Sequence, residues 1–180
     1  MSEIINDNDL IHEIKKGNTR SFQSFVEKYE DNVANVCVGL LGNTPEAEEV
    51  AQEVFIKFYY KIGNFRQDST VKTYLTRIAI NLSLNELKKR KRNRERYISR
   101  EDLSRVNEAE SVEPDIELKE LIEKALQMID TPLRAIIILR LMEGYSTKET
   151  AKILKIPQGT VLSRLFRAQE QLRQILKDFR

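Results

Sequence analysis

An all-α fold, made of two small helical domains joined by a flexible linker, follows from three features of this 180-residue chain. Apolar residues recur every three or four positions in both halves, and no stretch alternates apolar with polar residues as a half-buried strand does. Capping residues and glycines separate the periodic stretches, as they do where one helix stops and the next begins. Residues 100–116 lose the periodicity, gain acid and include Pro114, which is the composition of a linker. The predicted division is therefore residues 1–97, a linker at 98–116 and a second domain at 117–180, built on a helix-turn-helix.

The first helix is predicted from about Asn8 to Lys16, stopping at Gly17-Asn18. A second, from Ser21 to about Leu41, turns Phe22, Phe25, Val26, Tyr29, Val33 and Val36 to one face and ends at Gly42-Asn43, with Cys37 packed as a small hydrophobe. Thr44 is placed to cap a third helix, and Pro45 has the fixed φ suited to its first position. Glu46, Glu48 and Glu49 lie at the positive end of that helix's dipole, and it runs to about Ile62. The polar loop NFRQDSTVK follows, then a long helix from Thr73 through Leu87 that ends in the basic run Lys88, Lys89, Arg90, Lys91, Arg92. Beyond the linker, Ile116 to Ile129 forms an amphipathic helix, and Thr131-Pro132 starts another that stops at Gly144.

The helix-turn-helix occupies Ser146 to Leu172. The Ser146 hydroxyl caps a helix while Glu149, three residues on, reaches back to the cap's own amide. That helix carries Ala151 and Leu154 inward. Ile156 buries in the turn, and Pro157 opens a second helix whose core stripe is Val161, Leu165, Ala168 and Leu172. Gln158, Thr160, Leu162, Ser163, Arg164, Phe166 and Arg167 are left facing outward, a set of hydroxyls, arginines and apolar groups suited to the major groove of duplex DNA.

Charge supports the same reading. The net charge of +2 hides segregation: residues 1–86 carry 9 basic and 13 acidic groups, 87–100 carry 8 and 1, 101–123 carry 2 and 9, and 124–180 carry 11 and 5. Two positive blocks flank an acidic one, as in a chain that touches DNA at two separated places. With 41% hydrophobic residues a real core is expected, and no apolar run approaches the roughly 20 residues of a membrane span. The start MSEIINDND is polar and acidic where a secretory signal is basic and then apolar, so a cytoplasmic protein without direct membrane insertion is expected. One cysteine allows no internal disulfide and no thiolate cluster for zinc, and His12 is the sole histidine. No carboxylate cluster or positioned nucleophile is evident, so the expectation is no catalytic residue, no metal, no cofactor and no small-molecule substrate.

Three stretches in this order resemble the sigma-70 superfamily of RNA polymerase initiation factors, in particular its small two-domain extracytoplasmic-function type: EAEEVAQEVFIKFYYKI (Glu46–Ile62), NFRQDSTVKTYLTRIAINLSLNELKKR (Asn64–Arg90) and the helix-turn-helix with its GTVLSRLFRA core. The resemblance spans nearly the whole chain. It implies that the first stretch docks on the clamp helices of the polymerase's largest core subunit, that the second reads and opens the promoter's minus-10 element, and that the third binds the minus-35 element as duplex. Glu49, Gln52, Glu53, Phe55, Ile56 and Tyr59 match the family's docking pattern. For strand opening, Phe65, Tyr74 and Asn81 are candidates to hold an extruded base, and Lys72, Arg77, Lys88 and Arg90 to hold phosphates. An ordinary core face also accounts for Tyr74. The chain departs from the family at Tyr74, where Trp is usual, at Val71, where an aromatic is usual, at Leu162, where Lys or Arg is common, and at Lys155, where Gly is common. The implied partners are core RNA polymerase, promoter DNA and an anti-sigma protein. The alternative reading is a helix-turn-helix repressor or activator that never docks on polymerase.

Overall fold

The computed structural model describes residues 6–65, 68–98 and 118–178. They form α1 (Asp7–Lys15), α2 (Thr19–Leu41), α3 (Pro45–Lys61), α4 (Val71–Ile98), α5 (Leu118–Gln127), α6 (Thr131–Ile137), α7 (Thr147–Leu154) and α8 (Gln158–Asp178). A 3-10 turn, Ile62–Asn64, prolongs α3, and a π-helical turn, Ile138–Met142, prolongs α6. The described residues contain no strand. The expected linker lies outside them, apart from Ile98.

Helix α2 is the centre of the N-terminal domain. Asn18 caps it, its side chain accepting from the Ser21 amide at 3.2 Å, and Gly42 ends it at φ 81°. Phe25, Val33, Val36, Cys37 and Leu40 are fully buried along its inner face. Each such side chain contributes about 1.5–3 kcal/mol by leaving water. Phe25 stacks on Phe58 of α3 at 4.5 Å, and Phe58 in turn meets Phe65 and Tyr74 edge-on, so one aromatic cluster ties α2, α3 and the start of α4 together. Burial pushes the Cys37 thiol up to about 11. Tyr29 donates its hydroxyl to Asp7 at 2.6 Å, fastening α1 to α2.

The long helix begins at Val71 rather than Thr73 and continues past the basic run to Ile98 rather than ending within it. Lys, Arg and Glu are strong helix formers, and the pairs Glu86–Lys89 and Lys91–Glu95 support the extension. Thr44 stands at the N-cap of α3 as expected, but its hydroxyl makes no cap hydrogen bond and instead accepts from Arg90 at 3.0 Å.

In the C-terminal domain, α8 crosses beneath α5 and α6. Leu126, Ile129, Leu133, Ile137 and Ala168 form one cluster, and Ile136, Ala151 and Val161 another. Leu172 and Ile175 extend the first cluster, which is why α8 outruns its predicted end at Leu172. The two domains also share a core: Ala135, Ile138, Leu139, Tyr145 and Ile153 join the cluster built on Phe25 and Val33. At Gly39 of α2 the two domains approach closely, and an added Cβ would stand 2.9 Å from Cδ1 of Ile138. Buried Arg134 donates to the carbonyls of Leu40 (2.6 Å), Gln127 (2.7 Å) and Ile129 (2.9 Å), satisfying the carbonyl-rich ends of α2 and α5 together.

Candidate DNA-binding and docking surfaces

Helix α8 is aimed by the capping box before α7. The Glu149 amide donates to the Ser146 hydroxyl at 3.2 Å, and the Ser146 amide and hydroxyl donate to the Glu149 carboxylate at 2.9 and 2.6 Å. These hydrogen bonds hold the Glu149 carboxyl below its ordinary value. The turn passes through Lys155 in the left-handed conformation, φ 55° and ψ 47°, with its amide bonded to the Ala151 carbonyl. Val161 and Ala168 are fully buried, which fixes the roll of α8 about its axis. Gln158, Leu162, Ser163, Phe166 and Arg167 are exposed as one outward face, while Thr160 and Arg164 are half-buried at its margins. Ser163 donates its hydroxyl to the Thr160 carbonyl at 3.2 Å.

The candidate residues of α4 and of the turn before it are placed differently from one another. Asn81 and Lys88 are exposed, and with Asn85 and Arg92 they form a stripe at helical spacing, four and three residues apart. Asn85 and Arg92 are not in the set inferred from sequence, although that spacing is visible there. Arg90 serves the fold: it donates to the Leu41 carbonyl (3.1 Å) and the Thr44 hydroxyl (3.0 Å) and pairs with Glu46 (3.1 Å), binding α4 to the turn between α2 and α3. Phe65 is only 8% exposed, and half-buried Tyr74 lies edge-on to it at 5.0 Å. Arg77 is half-buried, with an Nε that meets no partner.

Lys72 is engaged between the domains. Its ammonium lies 3.0 Å from the Glu143 carboxylate and 5.7 Å from the centre of the Tyr145 ring. The Glu143 side chain is 7% exposed and also accepts from Asn32. Beside it the hydroxyls of Thr76 and Tyr145 are hydrogen-bonded at 2.9 Å.

On α3, Glu49, Gln52, Glu53, Ile56 and Tyr59 are exposed along one stripe. Glu53 pairs with Lys57 at 2.9 Å, and Tyr59 is braced edge-on against Phe22 at 4.9 Å. Phe55 is placed differently: it is 7% exposed and packs against Phe25, supporting the stripe from beneath. Tyr60, 81% exposed and one turn after Ile56, extends the apolar part of the surface and is absent from the set inferred from sequence. Among the described residues no helix is long and apolar enough to cross a membrane, and no group of His, Cys, Asp and Glu side chains is arranged to hold a metal ion.

The family model for sigma-70 region 2 matches residues 25–93, and that for sigma-70 region 4 matches residues 119–172. The chain is 34% identical to the RNA polymerase sigma-H factor of Pseudomonas aeruginosa, over 95% of this chain and 94% of that protein. It is 33% identical to the ECF RNA polymerase sigma factor SigW of Bacillus subtilis, over 93% and 95%. Among solved structures, the sigma factor RpoE of Bartonella quintana, in complex with the anti-sigma factor NepR, superposes with a TM-score of 0.71 at 25% identity, covering 89% of this chain and 99% of that one. CnrH in complex with the cytosolic domain of CnrY shares the fold, with a TM-score of 0.68 at 22% identity over 96% and 97% of the two chains. With both regions present in order on an all-helical fold and relatives matched over nearly their full lengths, the chain belongs to the sigma-70 family of RNA polymerase sigma factors, among those of the extracytoplasmic-function type.

Proposed function

We propose that this sigma factor docks on core RNA polymerase through the exposed stripe of α3, reads the minus-35 element as duplex with α8, and captures and opens the minus-10 element along α4. The observation that carries the reading is the outward face of α8 on a capped helix-turn-helix, in the same chain as the acidic and apolar stripe Glu49, Gln52, Glu53, Ile56 and Tyr59. A regulator that only binds duplex has no use for that stripe, whereas a basic, partly apolar coiled coil complements it. Arg77 and Lys88 neutralise phosphates, joined by Lys72 when its pair with Glu143 opens, Asn81 contacts an unstacked base, and Tyr74 with Phe65 forms the aromatic wall beside it. Arg90 acts by holding α4 against the α2–α3 turn. Residues 1–97 and 117–180 are the two functional domains and 98–116 their connection.

The factor works in the cytoplasm by binding rather than by covalent catalysis, and it uses no cofactor. The Bartonella quintana relative is held by an anti-sigma factor, and we assign the same class of regulator here. Co-purification with core polymerase, followed by run-off transcription on a promoter library, tests the proposal. Retention on the polymerase and a new set of start sites are expected. A chain that neither associates with the enzyme nor redirects transcription is not acting this way, and a footprint made without polymerase would identify a repressor or activator.

A further inference from the structure

The centre of the outward face of α8 is apolar. Leu162 is 56% exposed and Phe166 67% exposed. They lie one turn apart, about 6 Å along the helix axis, with Gln158 before them and Arg167 after. Val161 and Ala168 beneath are fully buried, so the helix cannot roll to hide the pair. Ser163, beside Leu162, directs its hydroxyl hydrogen to the Thr160 carbonyl, so it presents no donor outward. At Leu162 and Phe166 themselves the face therefore has nothing to offer the polar edges of guanine, cytosine or adenine. The apolar group that the major groove does present is the C5-methyl of thymine. Charge separates duplex DNA from an apolar protein groove as the occupant: residues 124–180 carry 11 basic and 5 acidic groups, and exposed Arg167 borders the pair.

We propose that Leu162 and Phe166 are specificity-determining residues that read thymine methyl groups in the upstream promoter element. The inference rests on the assignment of α8 to that element. The separation of about 6 Å, set against about 3.4 Å per step along a DNA strand, places the two thymines one or two steps apart.

The experiment uses the full chain loaded on core polymerase to select duplexes from a library randomised upstream of the start site. The recovered element is then synthesised with uracil in place of thymine, one position at a time, which deletes only the methyl group. At one or two positions the affinity is expected to fall about fourfold, the worth of one buried methyl. Leu162→Ala and Phe166→Ala should each lose discrimination at one of those positions, with thermal melting unchanged because both side chains are exposed. Leu162→Arg should exchange thymine for guanine at its position. Indifference to uracil at every thymine, or methyl sensitivity that survives in the double alanine variant, overturns the inference while leaving duplex reading by α8 standing. Failure to recover any upstream element overturns both. Self-association that disappears in the double variant would assign the pair to a second copy of the chain and also overturn it.

Discussion

Lys155 is the one described residue other than glycine that adopts a positive φ, and it does so at the turn that sets the angle between α7 and α8. A side chain in that conformation costs roughly 1 kcal/mol. The turn holds because the amides of Lys155 and Ile156 both donate to the Ala151 carbonyl, and Ile156 packs against the Ala151 and Val161 cluster. Lys155→Gly should stabilise the chain by up to about 0.5 kcal/mol, the strain released less the extra chain entropy of glycine. A denaturant melt of both forms reads this directly, and an equal or lower midpoint in the variant would show that no strain is stored there. Neighbouring residues make such features legible in sequence: Ser146 and Glu149 form their box within one turn. Arg90 and Phe55 are different. Their roles depend on Leu41, Thr44 and Phe25, which only the tertiary packing of α2 against α3 and α4 brings near, and no local spacing distinguishes a phosphate ligand from a structural guanidinium.

Among the elements, α7 owes its start to a carboxylate whose ionisation the fold favours. Glu149 is held below 4.5 by the Ser146 hydroxyl and amide, so its contribution is present above that value and is lost as pH falls from there through the lowered one. Glu149→Gln keeps a side chain able to complete the capping box but removes the titration. Thermal melts of the full chain should therefore fall less steeply with acidification below pH 4.5 in the variant than in the parent, and identical slopes would remove the box from the acid response. The docking helix makes a second element-scale claim. Reversing charge at both Glu49 and Glu53 preserves their four-residue spacing and leaves the buried face of α3 untouched. Retention on core polymerase should drop by about tenfold or more with helix content unchanged, and full retention would mean that this stripe does not face the enzyme. The existence and order of the helices were legible because each carries its own apolar period and stop residue. Their ends were less so: α4 is prolonged by ion pairs that periodicity does not register, while α8 runs on because Ile175 continues its apolar stripe onto the cluster of Leu126 and Ile129.

For the molecule as a whole, the two domains are closed onto each other by Gly39 against Ile138, by Arg134 across the ends of α2 and α5, and by Glu143 with Lys72 and Asn32. Two-domain organisation could be read from the acidic, aperiodic segment between them. Their contact could not, since it depends on a helix-interior glycine whose purpose appears only when Ile138 is set beside it. Gly39→Leu should wedge the interface apart. Leucine is the better helix former by about 1 kcal/mol, so α2 should hold while the domains separate. Small-angle scattering of the full chain should then show a larger radius of gyration at unchanged helical content. An unaltered scattering profile would mean that the interface absorbs a side chain where now it admits none.

Cys37, the only cysteine of the chain, is sealed in the α2 core with its ionisation pushed to about 11. The thiolate is the form that attacks peroxides and disulfides, and at neutral pH roughly one molecule in ten thousand carries one, shielded from solvent. Peroxide therefore finds no reactive thiolate at Cys37, and among the described residues the exposed thioethers of Met128 and Met142 are the sulfurs it can reach.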